Sequence, residues 1–362
     1  MMTRFLTGTA LALMLAVPAG AQDRVVNVYN WSDYIDEEIL AEFTAETGIK
    51  VVYDVFDSND ILETKMLAGS SGYDVVVPTG GFLQRQIQAG VFQKLDKSKL
   101  PNLANMWDRI SERTAKYDPG NEYSINYMWG TTGIGYNVDA VKARLGAETI
   151  DSWEVIFNPE LIAKFADCGI HILDAPDEMI PAALNYMGKD PDSKNVDDIR
   201  AAAELIAKIR PSVTSFNSSP YINALADGDA CLAVGWSGDV LQARDRAAEA
   251  NNGVTVEYAI PKEGALMWFD QMAIPSDAPH PEEAHIFLDY IMRAEVAAKA
   301  SNYVYYANGN KASQPLLNED VIGDPAIYPS AETVEKLYVT SPYGPAEQRV
   351  LTREWTRIKT GS

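Results

Sequence analysis

The chain has 362 residues, with 51 acidic against 30 basic side chains and a formal charge of −21. That balance argues against nucleic-acid binding, because phosphate contacts need clustered Lys and Arg. It favours cationic ligands through long-range steering, although solubility alone would also account for it. The length exceeds one typical hydrophobic core and points to two lobes.

Residues 1–21 read as a secretory signal peptide. Met1 to Arg4 form a short basic start, Phe5 to Val17 are mostly apolar, and Ala19-Gly20-Ala21 is a small-residue cleavage site. The apolar stretch is too short to span a bilayer, and no later stretch approaches the roughly 20 apolar residues that a spanning helix needs. The expected product is exported, soluble and not membrane-inserted, with cleavage before Gln22.

A strand over Val25–Tyr29 opens the mature chain. A helix over Asp36–Thr47 follows, with three acids in its first turn and Gly48 just past its end. A strand over Ile49–Val55, a helix over Ile61–Ala68 and a strand over Tyr73–Val77 complete a βαβαβ order, which predicts a mainly parallel sheet. Ligands of such sheets bind beyond the carboxyl ends of the strands. "NWSDY" follows the first strand and "PTGG", Pro78 to Gly81, follows the third, so both face one crevice.

The middle of the chain, from Gly135 to Glu257, carries its own α/β pattern. "CGIHILDAP" is a strand running into a loop. Helices are expected over Val196–Ile209 and Tyr221–Ala226, and "ACLAVGWSGD" is an apolar strand ending in a Gly-rich loop. "MWFDQMAIP" begins a further strand, Pro281–Arg293 a helix, and the terminal helix packs Leu351, Trp355 and Ile358 inward. Joints near 130–135 and 261–264 suggest that the chain passes between lobes more than once. The expected division is 22–131 with 258–310 as an N-terminal lobe, and 132–257 with 311–362 as a C-terminal lobe.

The two cysteines, Cys168 and Cys231, form an isolated pair, which in an oxidising compartment most often bridges; two buried free thiols are the alternative. A bridge would close a loop of about 60 residues, worth about 4 kcal/mol in the chain-entropy model. With three histidines and no clustered ligands, metal binding is not expected.

Enzyme motifs fail on inspection. In "GWSGD" Asp239 stands where a nucleophile elbow needs glycine, and "GIGYNV" puts Val138 where a dinucleotide loop needs its last glycine. Asn30-Trp31-Ser32 is formally a glycosylation sequon and reads as chance. What recurs is an aromatic beside a carboxylate at a strand's end: Trp31/Asp33/Tyr34, Trp236/Asp239 and Trp268/Phe269/Asp270. Asp177 and Glu178 follow "DAP", and Tyr303, Tyr305 and Tyr306 stand in another loop. A carboxylate accepts short hydrogen bonds from an ammonium, an aromatic face attracts the same cation, and apolar ring surface buries methylenes. A methylene chain ending in ammonium groups meets all three demands. Unpaired buried acids are costly, so the empty site is expected open and wet, with closure waiting for the cation.

"YNWSDYI", "TGIKVVYDVFDSN", "AGVFQKLDKSKLP", "YMWGTTGIGYN", "LDAPDE", "GWSGD", "IPKEGA" and "YANGNKA" resemble, in order and spacing, the periplasmic polyamine-binding proteins of ABC importers, above all the putrescine-binding members. That resemblance implies a class II binding-protein fold: two α/β lobes, a hinged cleft, and putrescine or spermidine between them. It implies a monomeric, non-enzymatic, cofactor-free periplasmic protein that delivers its ligand to an inner-membrane permease. Trp31, Ser32, Asp33 and Tyr34 match the first binding loop, Glu178 an acid that holds one ammonium, and Trp236 and Asp239 the pair of the second lobe. Trp268 and Asp270 match the return strand's pair and Tyr306 a flanking tyrosine; Ser218 fits a polar contact and Thr79 a further one. Cys168 and Cys231 match a family disulfide. Gly80 and Gly81 stand where relatives often carry small polar or larger side chains, which predicts a wider pocket there, and Trp268 stands where putrescine-type members often have Phe, which leaves room for a longer chain. Asp33 is expected to accept an ammonium. The rival ligands are a quaternary amine, an oligopeptide, or ferric iron held by Tyr305 and Tyr306; a glycoside hydrolase using two carboxylates is the enzymatic alternative.

Overall fold

The computed structural model describes residues 24–361, so the expected signal peptide lies outside the described residues. Ten strands form one mixed sheet: β1 Val25–Trp31, β2 Lys50–Phe56, β3 Val75–Val76, β4 Ser124–Asn137, β5 Ile170–Ile172, β6 Ser215–Phe216, β7 Leu232–Trp236, β8 Val256–Ala259, β9 Met267–Ala273 and β10 Ala307–Asn308. The order is β2-β1-β3-β9-β4-β7-β5-β6, with β8 and β10 also paired to β4. The opening βαβαβ unit is parallel, as its pattern predicts, with β1 between β2 and β3. Its third strand is shorter than expected, pairing only at Val75 and Val76.

Helix ends follow the local chemistry. Asp36 caps the helix Glu37–Thr47 by accepting from the Glu38 amide, and Gly48 closes that helix at φ 67°. Ser58 caps Asn59–Ala68 through the Ile61 amide. The helix Val196–Ile209 buries Ile199, Ala203 and Ile206 on one stripe. A second helix, Ala294–Val304, follows Pro281–Ile291, where the sequence reading has only the first.

Buried side chains gather into two apolar clusters. One joins β1–β3 and their helices to the far part of β9 and the helices after it, from Val26 through Met128 and from Leu266 to Tyr306. The other holds β5–β8 and the terminal helix, with Ile134, Trp153, Ile172, Val234, Leu351 and Trp355 among its members. The fourteen-residue strand β4 connects them. Its first half pairs with β9 (Ser124–Thr131 against Met267–Ala273), and its second half pairs with β7 and β8. β8 and β9 both pair with β4, on its second and first halves respectively, and β10 pairs with it at Met128 and Trp129. One continuous sheet therefore carries two α/β lobes.

Cys168 and Cys231 are disulfide-bonded, with Cα atoms 5.6 Å apart. The bridge ties the turn before β5 to the residue before β7, inside the second lobe. Replacing both cysteines by alanine is expected to lower the unfolding free energy in urea by up to about 4 kcal/mol while leaving ligand affinity within about twofold; a stability change below about 1 kcal/mol would remove the constraint argument.

Candidate functional site

A cleft of about 480 Å³ opens between the lobes, lined by Trp31, Ser32, Tyr34, Asp57, Asn59, Thr79, Glu178, Ser218, Ser219, Ile222, Trp236, Asp239, Trp268, Asp270 and Tyr306. Its walls are the carboxyl ends of β1, β2 and β7 and the starts of the helices that follow, together with β9. Glu178 and Asp239 lie in the first turns of the helices Pro176–Tyr186 and Ser237–Ala250. The positive end of each helix dipole offsets part of the cost of holding a carboxylate there.

Three carboxylates are buried on this cleft, and each is held by neutral donors. Asp270 accepts from the Tyr34 hydroxyl at 2.8 Å and from the Thr79 hydroxyl at 2.6 Å. Thr79 is in turn fixed by Asn59, whose Nδ2 donates to Thr79 Oγ1 at 2.9 Å and whose Oδ1 accepts from the Thr79 amide at 3.1 Å. Thr79 precedes the helix Gly80–Gln88 but makes no side-chain cap; its hydroxyl serves Asp270 instead. Asp239 accepts from Tyr306 at 2.6 Å and from Tyr221 at 2.8 Å. Glu178 accepts from the Thr132 hydroxyl and from Trp236 Nε1, the latter at 3.1 Å to both oxygens. Among the described residues no Lys, Arg or His forms an ion pair with any of the three.

Desolvation consequently raises all three acids. Asp270 is pushed up to about 7, chiefly by burial, with the Thr79 and Tyr34 hydrogen bonds acting against it and nearby Asp239 adding to it. Asp239 is pushed up to about 6 by burial, opposed by its two tyrosines. Glu178 is raised by burial and then by the neighbouring Asp177 charge.

Aromatic rings line the space between these acids. Trp31 and Trp236 meet edge to face at 5.5 Å, Tyr34 and Tyr306 at 5.2 Å, and Trp268 and Tyr306 at 5.4 Å. Two glycines make this packing fit. A Cβ on Gly238 would lie 2.4 Å from the Tyr306 ring, and one on Gly130 would lie 2.7 Å from the Trp268 ring. The second glycine of "GWSGD" is thus a seat for Tyr306.

Of the residues singled out in the sequence, Trp31, Ser32, Tyr34, Thr79, Glu178, Ser218, Trp236, Asp239, Trp268, Asp270 and Tyr306 come together on one cleft. Asp33 does not. It takes a left-handed conformation at φ 53°, and its carboxylate pairs with Arg246 Nη2 at 2.7 Å outside the cleft lining. Its expected role as an ammonium acceptor is corrected on that geometry. At Gly80 the expected extra room is taken by the Tyr117 ring, 2.4 Å from a Cβ position, whereas at Gly81 nothing lies within 4 Å of one. The iron reading loses its paired tyrosines: Tyr306 faces the cleft, whereas Tyr305 packs against the second lobe's core. Asp57, Asn59, Ser219 and Ile222 were missed as lining residues. The first two follow β2, and the same strand-end rule that selected "NWSDY" points to them.

A two-lobed α/β molecule with crossing strands and an acid-and-aromatic cleft between them has the architecture of a class II periplasmic binding protein. The family model for bacterial extracellular solute-binding proteins matches residues 38–329, and the chain belongs to that family. It is 54% identical over 368 residues to the putrescine-binding periplasmic protein SpuD of Pseudomonas aeruginosa, covering 100% of both chains. It is 50% identical to the putrescine-binding periplasmic protein PotF of Escherichia coli K12, covering 99% of this chain and 98% of that one. The crystal structure of the spermidine/putrescine ABC transporter substrate-binding protein PotD from Streptococcus pneumoniae superposes with a TM-score of 0.75 at 28% identity, covering 93% of this chain and 99% of that chain.

Two outcomes follow from this geometry. Gly238→Ala is expected to push the Tyr306 ring off Asp239 and weaken ligand binding at least tenfold, roughly the value of a hydrogen bond to a charged group; unchanged affinity in calorimetry would separate Tyr306 from the site. The ligand-free protein should lose stability as pH rises from about 4 to about 7. Across that window the folded state holds a proton on Asp270 that the unfolded chain has released. Asp270→Asn should flatten that slope and unfold at higher urea than the parent at pH 8; an unchanged pH profile would refute the burial argument.

Proposed function

We propose that this protein is an extracytoplasmic solute-binding protein that captures a protonated polyamine, putrescine or spermidine, and delivers it to an ABC permease in the inner membrane. The observation that carries the reading is the set of three buried carboxylates on one aromatic cleft, all hydrogen-bonded by neutral groups and, among the described residues, none ion-paired. An isolated buried charge is costly, and a diammonium chain supplies the missing positive charge. Its methylenes would lie against Trp31, Trp236, Trp268, Tyr34 and Tyr306, each CH₂ contributing about 0.8 kcal/mol on burial. The names of the close relatives support the same ligand class, and their periplasmic setting supports the same compartment for this chain.

In this reading the lobes 22–131 with 258–310 and 132–257 with 311–362 close on the ligand. Each contributes at least one acid: Asp270 from the first, Glu178 and Asp239 from the second. Asp33 and Arg246 then act as a clasp across the mouth, since they join the loop after β1 to the helix Ser237–Ala250. The protein holds and releases its ligand without chemical change, and its role is transport.

Calorimetry with putrescine, cadaverine, spermidine and a neutral amino acid tests the reading. Heat is expected with the amines and none with the amino acid. Affinity should fall as pH drops below about 7, because a proton on Asp270 must leave before an ammonium can pair with it. Asp270→Asn should weaken binding by at least 100-fold, the scale of a lost charge-assisted pair. Absence of heat with every amine would reject the proposal.

A further inference from the structure

Tyr221 does not line the cleft, and its side chain is wholly buried. It is nevertheless bonded to two residues that do. Its hydroxyl accepts from the Trp236 amide at 3.0 Å and donates to Asp239 Oδ2 at 2.8 Å. A phenol has one proton. With its acceptor side occupied by an amide, which can only donate, that proton is directed at Asp239. Tyr306 repeats the arrangement on the other oxygen: its hydroxyl accepts from the Asp239 amide at 3.1 Å and donates to Asp239 Oδ1 at 2.6 Å. Both oxygens of Asp239 therefore face hydroxyl protons whose direction is set by backbone amides. A proton on Asp239 would have to take a remaining lone pair of an oxygen that already accepts from a hydroxyl, and neither hydroxyl can turn to accept it without losing its amide partner.

Asp270 is held less strictly. Asn59 fixes the direction of the Thr79 proton, but among the described residues no donor is aimed at the Tyr34 hydroxyl, so Tyr34 is free to turn and accept from a protonated Asp270. Resting on the cation-binding reading above, we propose that Tyr221 is a positioning residue that, with Tyr306, orients Asp239 and favours its ionised form as the anchor for one ammonium, a restraint that Asp270 lacks on its Tyr34 side. The Tyr221 ring has a fixed berth as well, since a Cβ on Gly235 would lie 2.5 Å from it. The charged and titratable groups around Asp239 are Tyr221 and Tyr306, with Asp33 raising and Arg246 lowering its proton affinity, and Asp270 and Tyr34 facing it across the cleft. Glu178 faces Tyr221 from the helix Pro176–Tyr186.

The test has a ligand-free arm and a binding arm. With carbon-13-labelled aspartate, the Asp239 carboxyl resonance is assigned by its loss in Asp239→Asn and that of Asp270 by its loss in Asp270→Asn. In the parent protein Asp239 is expected to titrate at lower pH than Asp270, and Tyr221→Phe to move the Asp239 titration upward while leaving Asp270 in place. In calorimetry with putrescine at pH 7.5, Tyr221→Phe should weaken binding about tenfold or more, as expected for a lost hydrogen bond to a charged group. In an Asp239→Asn background the same change should cost less than about twofold, because its partner is already altered. A Tyr221→Phe protein that melts lower but keeps the parent's Asp239 titration and affinity would overturn the proposal, as would an Asp239 that titrates above Asp270. If the parent binds no amine, the function reading fails, and the ligand-free titration still decides the role of Tyr221.

Discussion

The constraint on which this site depends is the cost of burying carboxylates without counter-ions. Asp270, Asp239 and Glu178 are nearly removed from water, and among the described residues no Lys, Arg or His is ion-paired with them. Hydrogen bonds from hydroxyls and an indole reduce the cost without cancelling the charge. A lysine in their place would cancel it and would also occupy the position an ammonium ligand needs. Neutral donors therefore do two things at once: they keep the folded state tolerable and leave the charge deficit in place for the ligand. The raised proton affinities are the measure of that deficit.

The fold serves this arrangement by bringing distant strand ends together. β1 and β2 in one lobe and β7 in the other each end at the cleft, and each hands the chain to a loop or helix start bearing an acid, an amide or a hydroxyl. β4 runs through both lobes, and β9 pairs with its first half, which sets Asp270 opposite Met128 and Trp268 opposite Gly130. The aromatic walls depend on backbone left bare. Tyr306 lies on Gly238 and Trp268 on Gly130, approaches that any side chain would block.

Much of this was legible in the sequence because it is local. Helix caps, the period-2 and period-3.6 patterns and the strand-end rule select "NWSDY", "PTGG", "GWSGD" and "MWFD" without knowledge of contacts. What was not legible is direction. Asp33 stands between two cleft residues, and spacing alone gives it the same role. Its left-handed backbone turns it out of the cleft, toward an arginine 213 positions away. Gly80 reads as empty space until Tyr117, far along the chain, is seen to fill it. Tyr221 reads only as the first residue of a short helix, because its importance lies in two hydrogen bonds to partners more than ten residues later.

The position of Asp33 also bears on closure. Its pair with Arg246 is part-exposed, with side chains 40% and 34% accessible, so its worth is of the modest order found for surface pairs, about 0–1 kcal/mol. Such a clasp cannot by itself hold two lobes shut over three buried acids whose desolvation opposes closure. The direct contribution that can outweigh that cost is the charge the ligand brings into the cleft. Gln242 adds hydrogen bonds to the Asp33 and Val304 carbonyls at 3.3 and 3.2 Å, which give the closed mouth a defined geometry more than they give it strength. In the proposed reading, a weak clasp and a strong, ligand-dependent charge term together make closure conditional on the ligand.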